Sequence, residues 1–98
     1  MNGKTVVREL REASSLIRKS YDHEKWPELL TELERVAGIG EQISRRELAL
    51  QAQRLYELID RRMDSVAPPS FSDVQGDVDA LIGQIGHSVW VSGFVGNI

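Results

Sequence analysis

The stretch SRRELALQAQRLYELIDRRMDSV, residues 44–66, has the clearest helical period in this chain of 98 residues. Its apolar side chains recur at steps of three and four residues and therefore fall on one side of a helix. They are Leu48, Ala52, Leu55, Ile59, Met63 and Val66. Ser44 and Glu47 have the spacing of a capping box, which predicts that the helix begins at Ser44. Such a stripe needs partners to cover it, so the other segments are expected to pack against this helix.

Two further amphipathic segments precede this central helix. The first has a stripe of Val6, Leu10, Ala13, Ile17 and Tyr21. The second starts at Trp26-Pro27, because a proline in the first helical turn loses no hydrogen bond. Its apolar positions are Leu29, Leu30, Leu33, Val36 and Ala37. We expect this helix to end or bend at Gly38, which would make Gly38-Ile39-Gly40 a turn.

A weaker fourth helix is expected after Pro68-Pro69. Its apolar positions are Val74, Val78, Leu81, Ile82, Ile85 and Val89, while Gly76, Gly83 and Gly86 each cost about 1 kcal/mol relative to alanine. No charged residue follows Asp79 if His87 is neutral. Two alternatives stay open for the apolar end of the chain. Its large apolar side chains are those of Val89, Trp90, Val91, Phe94 and Val95. Either this segment folds back to close the bundle, or it forms an exposed docking surface.

These patterns predict an all-α fold, an antiparallel bundle of three to four helices joined by short loops. The whole chain, residues 1–98, is expected to form a single domain. Residues 1–67 would supply the core helices. Residues 68–98 would form the weaker, glycine-rich helix and the apolar tail.

The amino-acid composition argues against several classes of function. The chain has 15 acidic and 12 basic residues, a net charge of -3, whereas nucleic-acid-binding domains usually have a basic excess. The absence of cysteine excludes disulfides and thiolate chemistry. The charged start, MNGKTVVREL, lacks the apolar run of an export signal, so a cytoplasmic protein is expected. Glycines and polar residues in the last segment disfavour membrane insertion.

No catalytic group can be recognised. His23 and His87 lack a second ligand at metal spacing, the carboxylates fall on polar helix faces, and no serine lies in a nucleophile elbow. We therefore expect no enzyme activity, cofactor or metal, and interpret the chain as a protein-binding adaptor, inhibitor or regulator. The candidate partner-binding residues are Glu34, Arg54, Arg61, Trp90 and Phe94.

Arg54 and Arg61 are candidates because they stand seven residues apart and share a helix face. A partner's carboxylate or phosphate could bind there, although a salt-bridged surface would produce the same pattern.

An alternative to protein binding is binding of the DNA backbone through a helix-hairpin-helix-like turn at Gly38-Ile39-Gly40, assisted by Arg45 and Arg46. Self-assembly into a homo-oligomer, or membrane contact, through the apolar tail is a third alternative.

The stretch KWPELLTELERVAGIGEQISRRELALQAQRLYEL, residues 25–58, resembles the central helical pair of histidine phosphotransfer domains. The matching positions are Trp26, Leu29, Arg35, Val36, Gly38, Ile43, Leu48 and Leu55. This resemblance implies a four-helix bundle with an added cover helix. The family's phosphorylated histidine corresponds to Glu34 and its following lysine to Ala37, so phosphoryl transfer is not implied. What the resemblance does imply is a docking face around Glu34 for a receiver domain or another partner.

Overall fold

The computed structural model describes residues 3–64 and 71–96, with side chains for residues 4–64 and 71–90. Within these residues four helices form: α1 Gly3–Asp22, α2 Trp26–Gln42, α3 Arg46–Met63 and α4 Gln75–Gly96, the last preceded by a 3-10 turn at Ser72–Val74. α1 packs against α2 and α4, and α3 packs against α2 and, over fewer residues, α4. The predicted all-α antiparallel bundle is confirmed.

The predicted apolar stripes form the core. Val6, Leu10, Ala13 and Ile17 of α1 are buried, as are Leu48, Ala52, Leu55 and Ile59 of α3. The glycine-rich α4 also contributes fully buried side chains, namely Val78, Leu81 and Ile85. Tyr21 and Met63 lie at the edge of this core. Val66, the last residue of the predicted α3 stripe, lies outside the described residues.

Both short joints have the same backbone geometry. At the end of α1, Glu24 has a φ of 56°, and the amides of Glu24 and Lys25 donate to the carbonyls of Tyr21 and Ser20. At the end of α2, Ser44 has a φ of 60°, and the amides of Ser44 and Arg45 donate to Glu41 and Gly40. Each joint is a Schellman motif, which satisfies the last helical carbonyls and reverses the chain within a few residues.

The capping box predicted at Ser44 is wrong. Ser44 occupies the left-handed position of the Schellman motif, and Arg45 precedes the first helical residue without making any side-chain cap hydrogen bond. Sequence spacing alone did not distinguish a residue that ends α2 from one that begins α3.

Ser44→Gly is expected to stabilise the protein by about 0.5–1 kcal/mol, because glycine adopts positive φ without the steric cost that serine pays. The measurement is the free energy of unfolding, determined by urea titration. Ser15→Gly is the matched control, since Ser15 is exposed within α1 and glycine is unfavourable in a helix interior. If both substitutions destabilise the protein, the left-handed assignment of Ser44 fails.

The turn predicted at Gly38-Ile39-Gly40 is also wrong. α2 continues through all three residues to Gln42, and Ile39 and Gly40 are buried. A Cβ added at Gly40 would lie 2.9 Å from the backbone nitrogen of Ala49, whereas one at Gly38 would have no atom within 4 Å. Gly40 therefore permits α2 and α3 to approach closely, and it does so from within a helix rather than at its end.

An aromatic cluster closes the end of the bundle that holds the α1–α2 joint. The Trp26 ring packs edge-on against Phe71 at a centroid distance of 4.4 Å and against Tyr21 at 5.9 Å. The Tyr21 hydroxyl donates to the Phe71 carbonyl at 2.7 Å, and burial raises the pKa of Tyr21. Arg62 lies over the Phe71 ring and makes a bidentate pair with Asp73 at 2.6 and 2.7 Å.

The Arg62–Asp73 pair predicts a specific pH dependence. The hydrogen bond from Arg62 lowers the pKa of Asp73 below its ordinary 3.8. The stability that the pair contributes is therefore fully present above the unfolded-state pKa of Asp73. It is lost as pH falls through the folded-state pKa of Asp73. In denaturant titrations, the stability difference between wild type and Asp73→Asn should shrink below about pH 4. In an Arg62→Gln background most of this pH dependence should disappear, because only a weaker backbone hydrogen bond then lowers the pKa of Asp73. If the pH dependence stays undiminished, Arg62 is not its main cause.

The last segment does not fold back on itself. α4 continues to Gly96, so residues 89–95 extend the helix rather than make a separate closing segment. Val89 packs at the edge of the core and Trp90 is 68% exposed. No described helix is both long enough and apolar enough to span a bilayer.

Candidate protein-binding site

Glu34 lies on a groove between α2 and α3, which we call the acidic groove. Its volume is about 420 Å³. Three carboxylates line it, Glu34 and Glu41 from α2 and Glu57 from α3. The other lining residues are uncharged: Ala37, Gly38, Gln53 and Tyr56. Since all three glutamates are exposed, the groove presents negative charge to solvent.

Helical spacing explains why these α2 residues share the groove. Glu34, Gly38 and Glu41 are separated by four and three residues and so lie on one helix face. The two carboxylates are thus offset by about 10 Å along the helix axis. Between them, Gly38 has no side chain, and α2 exposes bare backbone at the centre of the groove. Tyr56 of α3 lies half-buried on the opposite side.

The charges in the acidic groove are not neutralised within the described part of the chain. None of its three glutamates forms an ion pair there, and their one hydrogen bond to a described side chain is donated by Gln53 Nε2 to Glu41 Oε1 at 3.3 Å. No three acidic or histidine side chains among the described residues are close enough together to hold a metal ion. The carboxylates are spread along the groove rather than focused on one point.

The glutamates between α1 and α2, Glu9 and Glu12 from α1 and Glu32 from α2, are in a different environment. Arg35, which is 25% exposed, pairs with Glu9 at 2.6 Å and with Glu12 and Glu32 at 3.3 Å. The hydrogen bond to Glu9 is the largest cause of the raised pKa of Arg35. This cation cross-links α1 and α2 and compensates the acids around it. The same helix therefore has a neutralised acidic side and an uncompensated one.

The other predicted partner-binding residues lie elsewhere. Arg54 lines a separate groove of about 590 Å³ between α3 and α4, together with the apolar side chains of Leu50, Leu55 and Leu58. Arg61 is exposed on α3 but does not line either groove. Neither arginine forms an ion pair with a described residue, so the alternative of a salt-bridged strip does not account for them.

The two aromatic candidates lie on α4. Trp90 is exposed, and Phe94 falls within the helix, but its side chain is outside the described set. The structure therefore does not assemble the five predicted residues into one site. Glu34 lies in the acidic groove with Glu41, Glu57 and Tyr56. The sequence did not mark Glu41 because the turn predicted at Gly38 would separate it from Glu34. It did not mark Glu57 and Tyr56 because their alignment with Glu34 depends on how α3 packs on α2.

The DNA-binding alternative loses its structural basis at Gly38. The expected hairpin turn is continuous helix, so its amides are not presented as a turn would present them. Glutamates surround Gly38 and would repel a phosphate backbone.

The chain matches no protein-family model, no curated protein and no solved structure. The resemblance to histidine phosphotransfer domains therefore stays a prediction.

Proposed function

We propose that this protein is a non-catalytic adaptor or regulator whose acidic groove binds a positively charged segment of a partner protein. The observation that carries the proposal is the row of three uncompensated glutamates around the bare backbone at Gly38. Complementary charge accelerates encounter and fixes the register of an interface. A basic segment with cations about 10 Å apart would match Glu34 and Glu41. Such a spacing corresponds to about three residues of extended chain.

Gly38 supports a contact role because the fold itself does not require it. A glycine inside a helix costs about 0.5–1 kcal/mol relative to alanine, and no described neighbour occupies the space where its Cβ would lie. A partner that approaches the α2 backbone would explain this cost. The resemblance to histidine phosphotransfer domains also implies a docking face around Glu34.

Gly38→Ala should separate stability from binding. We expect the free energy of unfolding to rise by about 0.5–1 kcal/mol, while partner binding weakens several-fold because the new methyl group lies on the floor of the groove. Gly83→Ala on α4 is the matched control, since its Cβ also meets no atom within 4 Å. It should stabilise the protein to a similar degree and leave partner binding unchanged.

The electrostatic part of the proposal is tested by charge reversal. Full-length protein, Glu34→Arg and Glu28→Arg would be used as bait in lysate of the native host, and retained proteins would be quantified at increasing salt. Glu28 is exposed on the same helix but lies outside the acidic groove. A specific partner should be lost with Glu34→Arg, kept with Glu28→Arg, and released by salt. A partner retained by Glu34→Arg would contradict the use of this groove.

A further inference from the structure

We propose that the N-terminus of α3 binds a small phosphate-type oxyanion. A cavity of about 280 Å³ lies where the α2–α3 joint meets α4, and it is lined by Ser44, Arg45 and Arg46 on one side and by Gln84 and Ser88 on the other. This site is separate from the acidic groove and does not depend on the proposed function.

The backbone supplies unpartnered donors at this site. Arg45 makes no side-chain cap hydrogen bond, and Ala49 is the first α3 amide that donates to a described carbonyl, that of Arg45. The amides of Arg46, Glu47 and Leu48 therefore have no acceptor among the described residues. Free amides at a helix N-terminus, together with the positive end of the helix dipole, favour an anion.

A buried hydroxyl provides independent support for a ligand. Ser88 lines the same cavity, its side chain is fully buried, and its Oγ has no hydrogen-bond partner among the described residues. A buried polar atom without a partner is costly, and such an atom in a native protein is commonly explained by a bound water or ion. An oxyanion in the cavity would accept a hydrogen bond from this hydroxyl.

The charge balance also favours an anion. Arg45 is half-buried and Arg46 is exposed, and neither forms an ion pair with a described residue. The one acidic lining residue, Glu47, accepts a hydrogen bond from Gln84 Nε2 at 3.3 Å. Two guanidinium groups and a helix N-terminus outweigh this single carboxylate. The limited volume favours a free phosphate group over a nucleic-acid backbone.

The probe is inorganic phosphate, titrated into ¹⁵N-labelled full-length protein with chloride at matched ionic strength as the reference. We expect saturable shifts of the Arg46, Glu47 and Leu48 amides. The N-terminus of α2 is an internal control: Lys25 has φ −93° and ψ 79°, close to the −97° and 77° of Arg45, but Pro27 removes an amide there. Equal shifts at both helix starts, or equal shifts with chloride, would overturn the proposal.

Variants test the individual donors. Arg45→Gln/Arg46→Gln should weaken phosphate binding at least tenfold. Lys19→Gln/Lys25→Gln removes the same charge from exposed positions near the α1–α2 joint and should leave phosphate binding unchanged. Ser88→Ala should keep or raise the melting temperature, because it removes an unpartnered hydroxyl, and yet weaken phosphate binding about fivefold. Unchanged affinity in the double arginine variant overturns the site. Preference for duplex DNA over phosphate overturns the assignment of a small ligand.

Discussion

Phe71→Ala is expected to lower the free energy of unfolding by about 3–5 kcal/mol, the cost of removing a fully buried aromatic side chain. The Phe71 ring is 2% exposed and contacts Trp26 edge-on, with Arg62 lying over it. Removing the ring therefore leaves a cavity and deprives both neighbours of a contact. Urea unfolding followed by tryptophan fluorescence measures the loss directly.

Tyr21→Phe is the control that isolates the hydrogen bond from the packing in this aromatic cluster. It removes only the hydroxyl that donates to the Phe71 carbonyl. That carbonyl also accepts from the Val74 amide at 3.0 Å, so it keeps a partner, and the expected loss is about 0.5–1.5 kcal/mol. If Phe71→Ala costs no more than Tyr21→Phe, the cluster does not hold this end of the bundle together.

Gly40→Ala is expected to destabilise the protein by about 1–3 kcal/mol, although alanine is the better helix former. The new Cβ would lie 2.9 Å from the Ala49 nitrogen and 3.1 Å from its Cβ. Backbone cannot rotate away as a side chain can, so α2 and α3 must separate to admit the methyl group. Thermal unfolding monitored by circular dichroism provides the measurement.

Gly38→Ala is the matched comparison for Gly40→Ala, two positions earlier in the same helix. Its Cβ meets nothing within 4 Å, and the substitution should stabilise the protein. Opposite signs for the same chemical change would establish that close helix approach, rather than helix termination, explains Gly40. Stabilisation by both substitutions would mean that α2 and α3 are packed less closely than the structure shows.

Helical periodicity predicted the core because it depends only on the spacing of apolar side chains. The stripes of α1 and α3 are buried as expected from positions such as Leu10 and Leu48. The roles of glycine and serine were harder to predict, because each residue type occurs in more than one kind of structural position. Glycine is common just past helix ends, but Gly40 serves a helix–helix contact, and Ser44 ends α2 instead of capping α3. Phe71 belongs to no stripe, so its burial has no periodic signal.

The candidate site could be predicted only in part. Glu34 was predicted from the resemblance to histidine phosphotransfer domains, supported by its place on the polar side of α2. Helical spacing relates it to Gly38 and Glu41 only because α2 continues through the residues where the sequence predicted a turn. Glu57 and Tyr56 reach the same groove only because α3 packs on α2 at this register, which no local pattern specifies. Arg35 shows the same limit, since its partners Glu9 and Glu12 come from another helix.

The most direct test of the central claim is photo-crosslinking from within the acidic groove. A benzoylphenylalanine would replace Tyr56 in one sample and, as a control, exposed Ser15 on α1 in another. Each protein would be irradiated in its native host, and the crosslinked peptides would be sequenced. Our account predicts a crosslink from position 56 to a lysine- or arginine-rich protein segment, absent from position 15 and lost when Glu34→Arg is added. Crosslinks from position 56 to an acidic segment, or a partner captured only from position 15, would contradict it.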